Sequence, residues 1–287
     1  MDFDKPDINI DAMHKIQLGN LKELDRVCRK NKIRYYLAFG TLIGAVRDNG
    51  IIPWDDDIDV VVAREDYDKL LHLEPSEWNQ PYFLQSIKSD PECGKCYMKL
   101  RNSNTTLIER YAQHKDINHG ISIDIYSMIH IADNLNERKK QLRYVLGYML
   151  LTENHPARNH GLILKFVSGA ILGVLPESLK KRIKKLCENK MLAYQKVDTE
   201  YCFVLSGLIA LHRAIKNKYF EEAIPHKFED SEFLIPSGYD DWLTTVYGDY
   251  MEAPPENKRG IKMDEFIVVD VDKPYTYYKN KYYFVND

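Results

Sequence analysis

A dense acidic cluster stands directly before an apolar run, and it restricts the fold more than any other feature. Four aspartates fall in the five positions 55 to 59, and three consecutive valines follow. If residues 57 to 62 form a strand, Asp57 and Asp59 share one face. Like charges this close repel one another unless a cation lies among them, so the pattern predicts a site for a hard ion such as Mg²⁺. The alternative is an acidic turn in solvent.

The segment before the acids indicates a strand, a turn and a helix. Residues 35 to 39 are apolar and aromatic, and Gly40 permits a tight turn with a close backbone approach. Thr41 is a candidate N-cap for a helix over residues 42 to 47. The free N–H groups and positive dipole end of such a helix predict a phosphate-binding site beside the metal site.

These two segments carry a family resemblance. GTLIGAVR at 40–47, followed by IIPWDDDID at 51–59, closely resembles the LicD family of phosphotransferases, which includes fukutin and fukutin-related protein. Matching blocks extend, with gaps, from about residue 33 to 259. The resemblance implies an α/β (α+β) fold: a nucleotidyltransferase-like mixed sheet flanked by helices, with a mostly helical subdomain.

The domain organisation follows from this resemblance and from local patterns. We expect a catalytic core over 1–130, a mostly helical subdomain over 131–229, and a C-terminal segment over 230–287 that completes the active site. Helical spacing of apolar residues predicts helices over 18–33 and 64–73, and apolar runs predict strands over 82–87, 96–101 and 121–126.

A second acidic strand supplies further candidates. In ISIDIY, Asp124 alternates with apolar residues, and a buried carboxylate needs a partner. The segment HGISIDI at 119–125 resembles a family block that ends in IDI, which implies that Asp124 is a third metal ligand and His119 a substrate-binding residue. The alternatives are an edge strand with Asp124 in solvent and a surface histidine.

Basic residues near the matched blocks are candidate phosphate ligands. Arg259 follows a YGDYM and Pro-Pro block that resembles the family's second block, and its planar fork suits a diphosphate. Arg47, Lys99 and Arg101 are candidate counterions for the transition state. Each has a structural alternative: a surface salt bridge for Arg259, pairing with the acidic cluster for Arg47, and strand-edge charges for the other two. Many family members carry a histidine after the arginine, where this chain has Gly-Ile-Lys.

Composition restricts partners and compartment. The net charge of −3 gives no pull towards nucleic acid. The five cysteines are scattered and the N-terminus is polar, so we expect free thiols in the cytoplasm and no signal peptide. Cys93 and Cys96 form one CxxC pair, which supports a metal or redox site only weakly. An apolar run over 162–175 and a lysine-rich run over 180–190 fit peripheral contact with an anionic membrane, or else a buried helix and a solvated basic face.

The resemblance implies a phosphotransferase with Mg²⁺ or Mn²⁺ held by Asp57, Asp59 and Asp124. The expected reaction moves phosphocholine from CDP-choline to a sugar hydroxyl of a cell-surface glycan, a teichoic acid precursor or a lipid-linked glycan, and releases CMP. One carboxylate of the cluster could accept the proton of the hydroxyl. The alternatives are transfer of ribitol or glycerol phosphate from a CDP-polyol, and nucleotidyl transfer that releases pyrophosphate. A non-catalytic glycan-binding relic ranks last, because the three acids are present.

Overall fold

The computed structural model describes residues 9–153, 169, 172–206, 214–260 and 263–285. The chain divides into two compact units. The first takes its described residues from Met1–Cys93, Tyr97–Tyr126 and Tyr219–Asp287, and the second from Gly94–Cys96 and Ser127–Lys218. Both units combine helices with strands, which confirms the predicted α/β (α+β) class.

A sheet with the order β1-β2-β6-β4-β3 forms the base of the first unit. The strands of the first unit's sheets up to residue 131 are β1 (Tyr35–Leu37), β2 (Asp59–Ala63), β3 (Tyr82–Gln85), β4 (Met98–Asn102), β5 (Thr106–Glu109) and β6 (Ile121–Ile131). Strand β6 lies between β2 and β4, and its antiparallel register with β4 sets Asp124 opposite Lys99. Asp124 therefore stands on an inner strand, which rules out the edge-strand alternative.

Helix α1 (Ile10–Asn31) packs on this sheet and begins eight residues before the predicted start at 18. The Asn9 side chain caps it by accepting a hydrogen bond from the Ala12 N–H at 3.0 Å. Its apolar face includes Met13 and Leu24, both buried. Asn20 donates to the carbonyls of Leu100 and Ile121, at 3.1 and 2.9 Å, so a buried amide ties the helix to β4 and β6.

The first unit also contains further helices and strands. The helices are α2 (Phe39–Ile43), which the π-helical turn Gly44–Asp48 continues, α3 (Arg64–Leu71) and α6 (Tyr239–Tyr247). The strands are β9 (Ala223–Phe228) and β10 (Ser231–Pro236), which pair as a hairpin, and β11 (Phe266–Asp270), which pairs with β5. The hairpin and β11 have no counterpart among the predicted elements.

The second unit contains the helices α4 (Leu135–Glu153) and α5 (Glu177–Met191), which pack around a buried apolar core. It also contains two short strands, β7 (Tyr201–Val204) and β8 (Ile215–Lys216), which the sequence did not predict. Strand β7 is a short run of aromatic and branched residues, and it pairs with residues 128 to 131 of β6.

The apolar run predicted as a buried helix over 162–175 lies outside the described residues, except for 169 and 172–175. Among the helices of the described part of the chain, none combines the length and apolarity needed to cross a membrane. All five cysteines fall in the described part and are buried free thiols.

Candidate active site

The acidic cluster lies where β2 meets β6. Asp59 is the first residue of β2, and the Asp124 N–H donates to the Ile58 carbonyl just before it, at 2.8 Å. Asp57 precedes the strand instead of lying within it, so strand alternation does not orient its side chain as predicted. Its carboxylate nevertheless lies close enough to Asp124 and Asp55 for their charges to act on it.

Burial and mutual repulsion keep these carboxyls from ionising easily. The pKa of Asp57 is raised well above its usual value, first by burial and then by the charges of Asp55 and Asp124. The pKa of Asp59 is also raised well above its usual value, by burial and by Asp57 and Asp124. Burial and the neighbouring Asp56 raise the pKa of Asp55 to about 6. A bound cation would offset both the burial of these charges and the repulsion between them.

The carboxylate oxygens of the cluster suit a divalent cation. Asp59 is only 8% exposed, and its Oδ1 is buried with no hydrogen-bond partner among the described residues. Carboxylate oxygens of Asp55, Asp56 and Asp57 lie within 4.8 Å of one another. An all-oxygen donor set of this kind matches the preference of Mg²⁺ and Mn²⁺, so the residues present fit the predicted ion.

Asp124 differs from Asp59 because both of its oxygens already have protein partners. Lys99 Nζ lies 2.9 Å from Oδ1, in an ion pair whose two side chains are each 8% exposed. The Tyr126 hydroxyl donates to Oδ2 at 3.2 Å. Lys99 therefore neutralises one buried carboxylate of the cluster, and the strand-edge alternative for it is wrong.

The predicted phosphate turn has a different geometry from the one expected. Helix α2 begins at Phe39, so Thr41 lies inside it and is not an N-cap. The Thr41 hydroxyl instead accepts the Asp59 N–H at 2.8 Å and so fixes the start of β2. Gly40 packs against the Asp55 carboxylate, and a Cβ at this position would collide with it. The Gly-Thr pair thus positions the acidic cluster directly.

A cleft with a volume of about 380 Å³ opens beside the acids. Trp54 and Arg47 both line the cleft, and Arg47 Cζ lies 5.9 Å from the centre of the Trp54 ring. Arg259 is not among the lining residues, but its Cζ lies 4.5 Å from the same ring centre. Arg259 donates to the Pro254 carbonyl at 2.6 Å, and Arg47 forms an ion pair with Asp48. The other lining residues are Gly40, Ile43, Ile52, Asp55, Tyr247, Asp249, Tyr250, Glu252 and Pro254.

Arg101 and His119 lie in surroundings that give them structural roles. Arg101 is 1% exposed and donates to the Gln85 side chain at 2.6 Å and the Gly120 carbonyl at 2.7 Å. His119 is also 1% exposed, with its ring centre 4.3 Å from that of Tyr283. Neither residue lines the cleft beside the acids, and the surface and strand-edge alternatives are wrong as well.

The buried His119 ring is expected to make the fold sensitive to acid. Burial and the nearby Arg101 charge lower its pKa from 6.5 to about 4. The unfolded chain therefore takes up this proton first, and the free energy of unfolding falls as pH drops from 6.5 towards 4. Urea unfolding at pH 7 and pH 4.5 should show a loss of roughly 2–3 kcal/mol from this group. The neutral variant His119→Gln should lack this share of the loss. If the free energy of unfolding falls by the same amount between pH 7 and pH 4.5 in both proteins, the assignment is wrong.

Two side chains of α1 that the sequence did not single out hold the acidic loop. His14 Nε2 donates to the Asp55 carbonyl and Gln17 Nε2 to the Asp56 carbonyl, each at 2.8 Å. Their polar character on a helix face that otherwise packs inward is the only signal the sequence offers for this role.

The acidic cluster lies in a part of the chain that matches a known protein family. Residues 32–144 match the family described as LicD/FKTN/FKRP, nucleotidyltransferase domain. The chain is 29% identical over 258 residues to the lipopolysaccharide cholinephosphotransferase LicD of Haemophilus influenzae, covering 85% of this chain and 93% of that protein. An uncharacterised protein of Rickettsia prowazekii is 28% identical over 137 residues, or 41% of this chain and 52% of that protein.

The matched residues include both acidic strands, α2 and Lys99, so the family match and the acidic cluster concern the same part of the molecule. A second rickettsial protein, from Rickettsia typhi, is 36% identical over 75 residues, which cover 26% of this chain and 24% of that protein. Residues 32–144 of this chain are therefore similar to the nucleotidyltransferase domain of the LicD family.

Proposed function

We propose that this protein is a phosphotransferase that moves phosphocholine from CDP-choline to a hydroxyl of a cell-surface glycan and releases CMP. The observation that carries the proposal is the acidic cluster beside a cleft lined by Trp54 and Arg47, with Arg259 Cζ 4.5 Å from the Trp54 ring centre. The relative from Haemophilus influenzae, named a lipopolysaccharide cholinephosphotransferase, supports the choice of group and acceptor.

The acidic cluster would hold one or two Mg²⁺ or Mn²⁺ ions. Asp59 and Asp57 are the main ligands in this proposal, since Asp59 has an oxygen without a partner among the described residues and Asp57 lies beside the carboxylates of Asp55 and Asp56. Asp124 contributes lone pairs that Lys99 and Tyr126 leave free. When bound, such ions stabilise the attacking and leaving oxygens of an in-line displacement.

The surroundings of the cleft are complementary to the diphosphate and to the choline group of CDP-choline. Arg47 and Arg259 present positive charge suited to a diphosphate. Other parts of the wall are aromatic and acidic, with Tyr247, Asp249 and Glu252, and such groups favour a trimethylammonium cation. During transfer the acceptor hydroxyl oxygen bonds to the phosphocholine phosphorus while the bond to CMP breaks.

Product analysis tests the proposed reaction. The purified protein, CDP-choline, Mg²⁺ and a panel of lipopolysaccharide and teichoic acid oligosaccharides should release CMP and yield a glycan heavier by one phosphocholine. Turnover with CDP-ribitol or CDP-glycerol but not CDP-choline would reassign the protein to polyol-phosphate transfer. Pyrophosphate release from CTP would support nucleotidyl transfer and count against the proposal.

Arg259→Ala is expected to raise the KM for CDP-choline about tenfold or more, because a charged hydrogen bond to the diphosphate is lost. Arg110 provides the matched control, since its guanidinium also donates to a backbone carbonyl, that of Asp264, at 2.9 Å, whereas Arg259 in addition lies over the Trp54 ring that lines the cleft. Arg110→Ala should leave KM unchanged. Steady-state kinetics measures the KM for CDP-choline of both variants. An equal rise of this KM in Arg259→Ala and Arg110→Ala would contradict the donor-site assignment.

We also propose that α5 contacts an anionic membrane surface while the protein acts in the cytoplasm. The helix exposes Leu179 and Leu186, at 39% and 51%, and it also exposes Arg182 and Lys190, which share their helical face. The protein should co-sediment with phosphatidylglycerol vesicles and much less with phosphatidylcholine vesicles. Changing Arg182 and Lys190 to Glu should abolish this, whereas the same change at Lys15 and Lys32 should not. Equal sedimentation of both variants would exclude the α5 contact.

A further inference from the structure

Two polar side chains of α1 reach the part of the acidic cluster that the sheet does not hold. Residues 55–58 belong to neither a helix nor a strand, whereas Asp59 begins β2 and Asp124 lies within β6. The carboxylates proposed as metal ligands therefore come from two kinds of backbone. The sheet holds Asp59 and Asp124 in place, and the position of Asp57 depends on the contacts of the loop before β2.

Hydrogen bonds from α1 fix two consecutive peptide groups of this loop. His14 Nε2 donates to the Asp55 carbonyl at 2.8 Å. Gln17 Nε2 donates to the Asp56 carbonyl, also at 2.8 Å. Each carbonyl lies in one plane with the N–H of the next residue, because the peptide bond is planar. Gln17 therefore fixes the peptide plane that leads into Asp57, and His14 fixes the plane before it.

The helix that carries these two donors is itself held firmly. His14 and Gln17 are three positions apart and so share a face of α1, and Gln17 is only 1% exposed. Asn9 caps the start of the helix, and Asn20 ties it to β4 and β6. The donors thus stand on a packed helix and not on a loop, which is what precise positioning of a site requires.

The loop needs such support because its own carboxylates repel one another. Oxygens of Asp55, Asp56 and Asp57 lie within 4.8 Å of one another, and like charges at this distance push the loop apart when no cation lies among them. Two hydrogen bonds to a packed helix oppose this movement, so the ligand oxygens stay together before a cation arrives. Such pre-organisation lowers the cost of binding and raises the affinity.

We propose that Gln17 and His14 are positioning residues that raise the affinity of the acidic cluster for a divalent cation. They act through the backbone of Asp55 and Asp56 and not as ligands themselves. The role rests on the metal site of the proposed function, but it does not depend on which group is transferred. Both residues precede residue 32, where the match to the LicD family begins, so that match assigns them no role.

Binding of Mn²⁺ alone tests this role without donor or acceptor, and the loss of the EPR signal of the free ion measures it. Gln17→Met removes the donor but keeps a side chain of similar length. We expect it to raise the dissociation constant for Mn²⁺ about tenfold, which is within the range for groups that orient metal ligands. His14→Leu should raise this constant as well, so the test does not depend on a single substitution.

Asn20→Leu is the matched control. Asn20 is also a buried amide of α1 that donates to backbone carbonyls, but to those of Leu100 and Ile121 in the sheet. Both amides leave their acceptor oxygen without a partner among the described residues. Asn20→Leu loses two hydrogen bonds and Gln17→Met loses one, so urea unfolding should show Asn20→Leu to be no more stable than Gln17→Met. Its affinity for Mn²⁺ should nevertheless equal that of the wild-type protein.

The possible failures of this experiment differ in what they reject. If the wild-type protein binds Mn²⁺ and both Gln17→Met and His14→Leu bind it equally well, the positioning role is wrong while the metal site stands. An equal loss of affinity in Asn20→Leu would assign the effect of Gln17 to the stability of α1 and would also reject the role. A wild-type protein that binds no Mn²⁺ would overturn the metal site and the positioning role together.

Discussion

Asp59→Asn is expected to lower kcat by about a thousandfold or more while making the metal-free protein more stable. The activity loss follows from removing a charged metal ligand, since losing about 4 kcal/mol of transition-state stabilisation corresponds to a factor of about 10³. The stability gain follows because the carboxyl is buried beside Asp57 and Asp124 and its Oδ1 has no partner among the described residues. An amide carries no charge to desolvate.

Two measurements separate metal binding from folding in this variant. The thermal unfolding midpoint of the wild-type protein should rise with added Mg²⁺ or Mn²⁺, and that of Asp59→Asn should not. Asp272→Asn, at an exposed aspartate far along the chain from the cluster, should behave as wild type in both assays. An Asp59→Asn protein that keeps its activity and its response to metal would remove Asp59 from the site.

Asp124→Asn is informative beside Asp59→Asn because the two carboxylates have different surroundings. Both carboxylate oxygens of Asp124 have partners, in Lys99 and Tyr126. Asp59 has one oxygen, Oδ1, without a hydrogen-bond partner among the described residues. We therefore expect Asp59 to dominate metal affinity and Asp124 to depend on Lys99. The sequence pattern treats the two residues alike, and only the cross-strand pairing of β4 with β6 separates them.

Local pattern predicted the parts of the site that depend on neighbours in sequence. The acidic cluster and the apolar strand after it arise within residues 55 to 62, whereas Gly40, which was predicted in a turn, lies inside α2. The boundaries were less accurate, since β2 begins at Asp59 and α2 begins at Phe39. Phe39 has a positive φ of 50°, a conformation that its bulky side chain disfavours, so propensity alone does not predict a helix start there.

Tertiary contacts created the parts that the sequence could not predict. Thr41 bonds to the Asp59 backbone, and Arg259 reaches Trp54 across more than 200 positions. Tyr283 packs against His119, and its hydroxyl has no hydrogen-bond partner among the described residues; both facts depend on the tertiary fold. No periodicity encodes such pairs, because each requires two distant segments to fold against one another.

Lys99→Met is expected to lower the free energy of unfolding by about 3–5 kcal/mol, which is the cost of leaving one partner of a buried ion pair uncompensated. Asp124 would then lose the Lys99 ammonium while it stays buried beside Asp57 and Asp59, whose carboxylates repel its own. Urea unfolding at pH 7 measures the effect. The exposed pair of Lys22 and Asp230 provides the control, because its separation of 2.8 Å is close to the 2.9 Å of the buried pair.

Lys22→Met should cost no more than about 1 kcal/mol, since solvent screens exposed ion pairs. Adding Asp124→Asn to Lys99→Met should recover much of the lost stability, because the amide can keep the Tyr126 hydrogen bond without carrying a charge. This recovery would show that the cost arises from the stranded carboxylate and not from lost packing of the lysine chain. A Lys99→Met variant as stable as Lys22→Met, or one that Asp124→Asn destabilises further, would contradict the role of Lys99 as the counterion of the cluster.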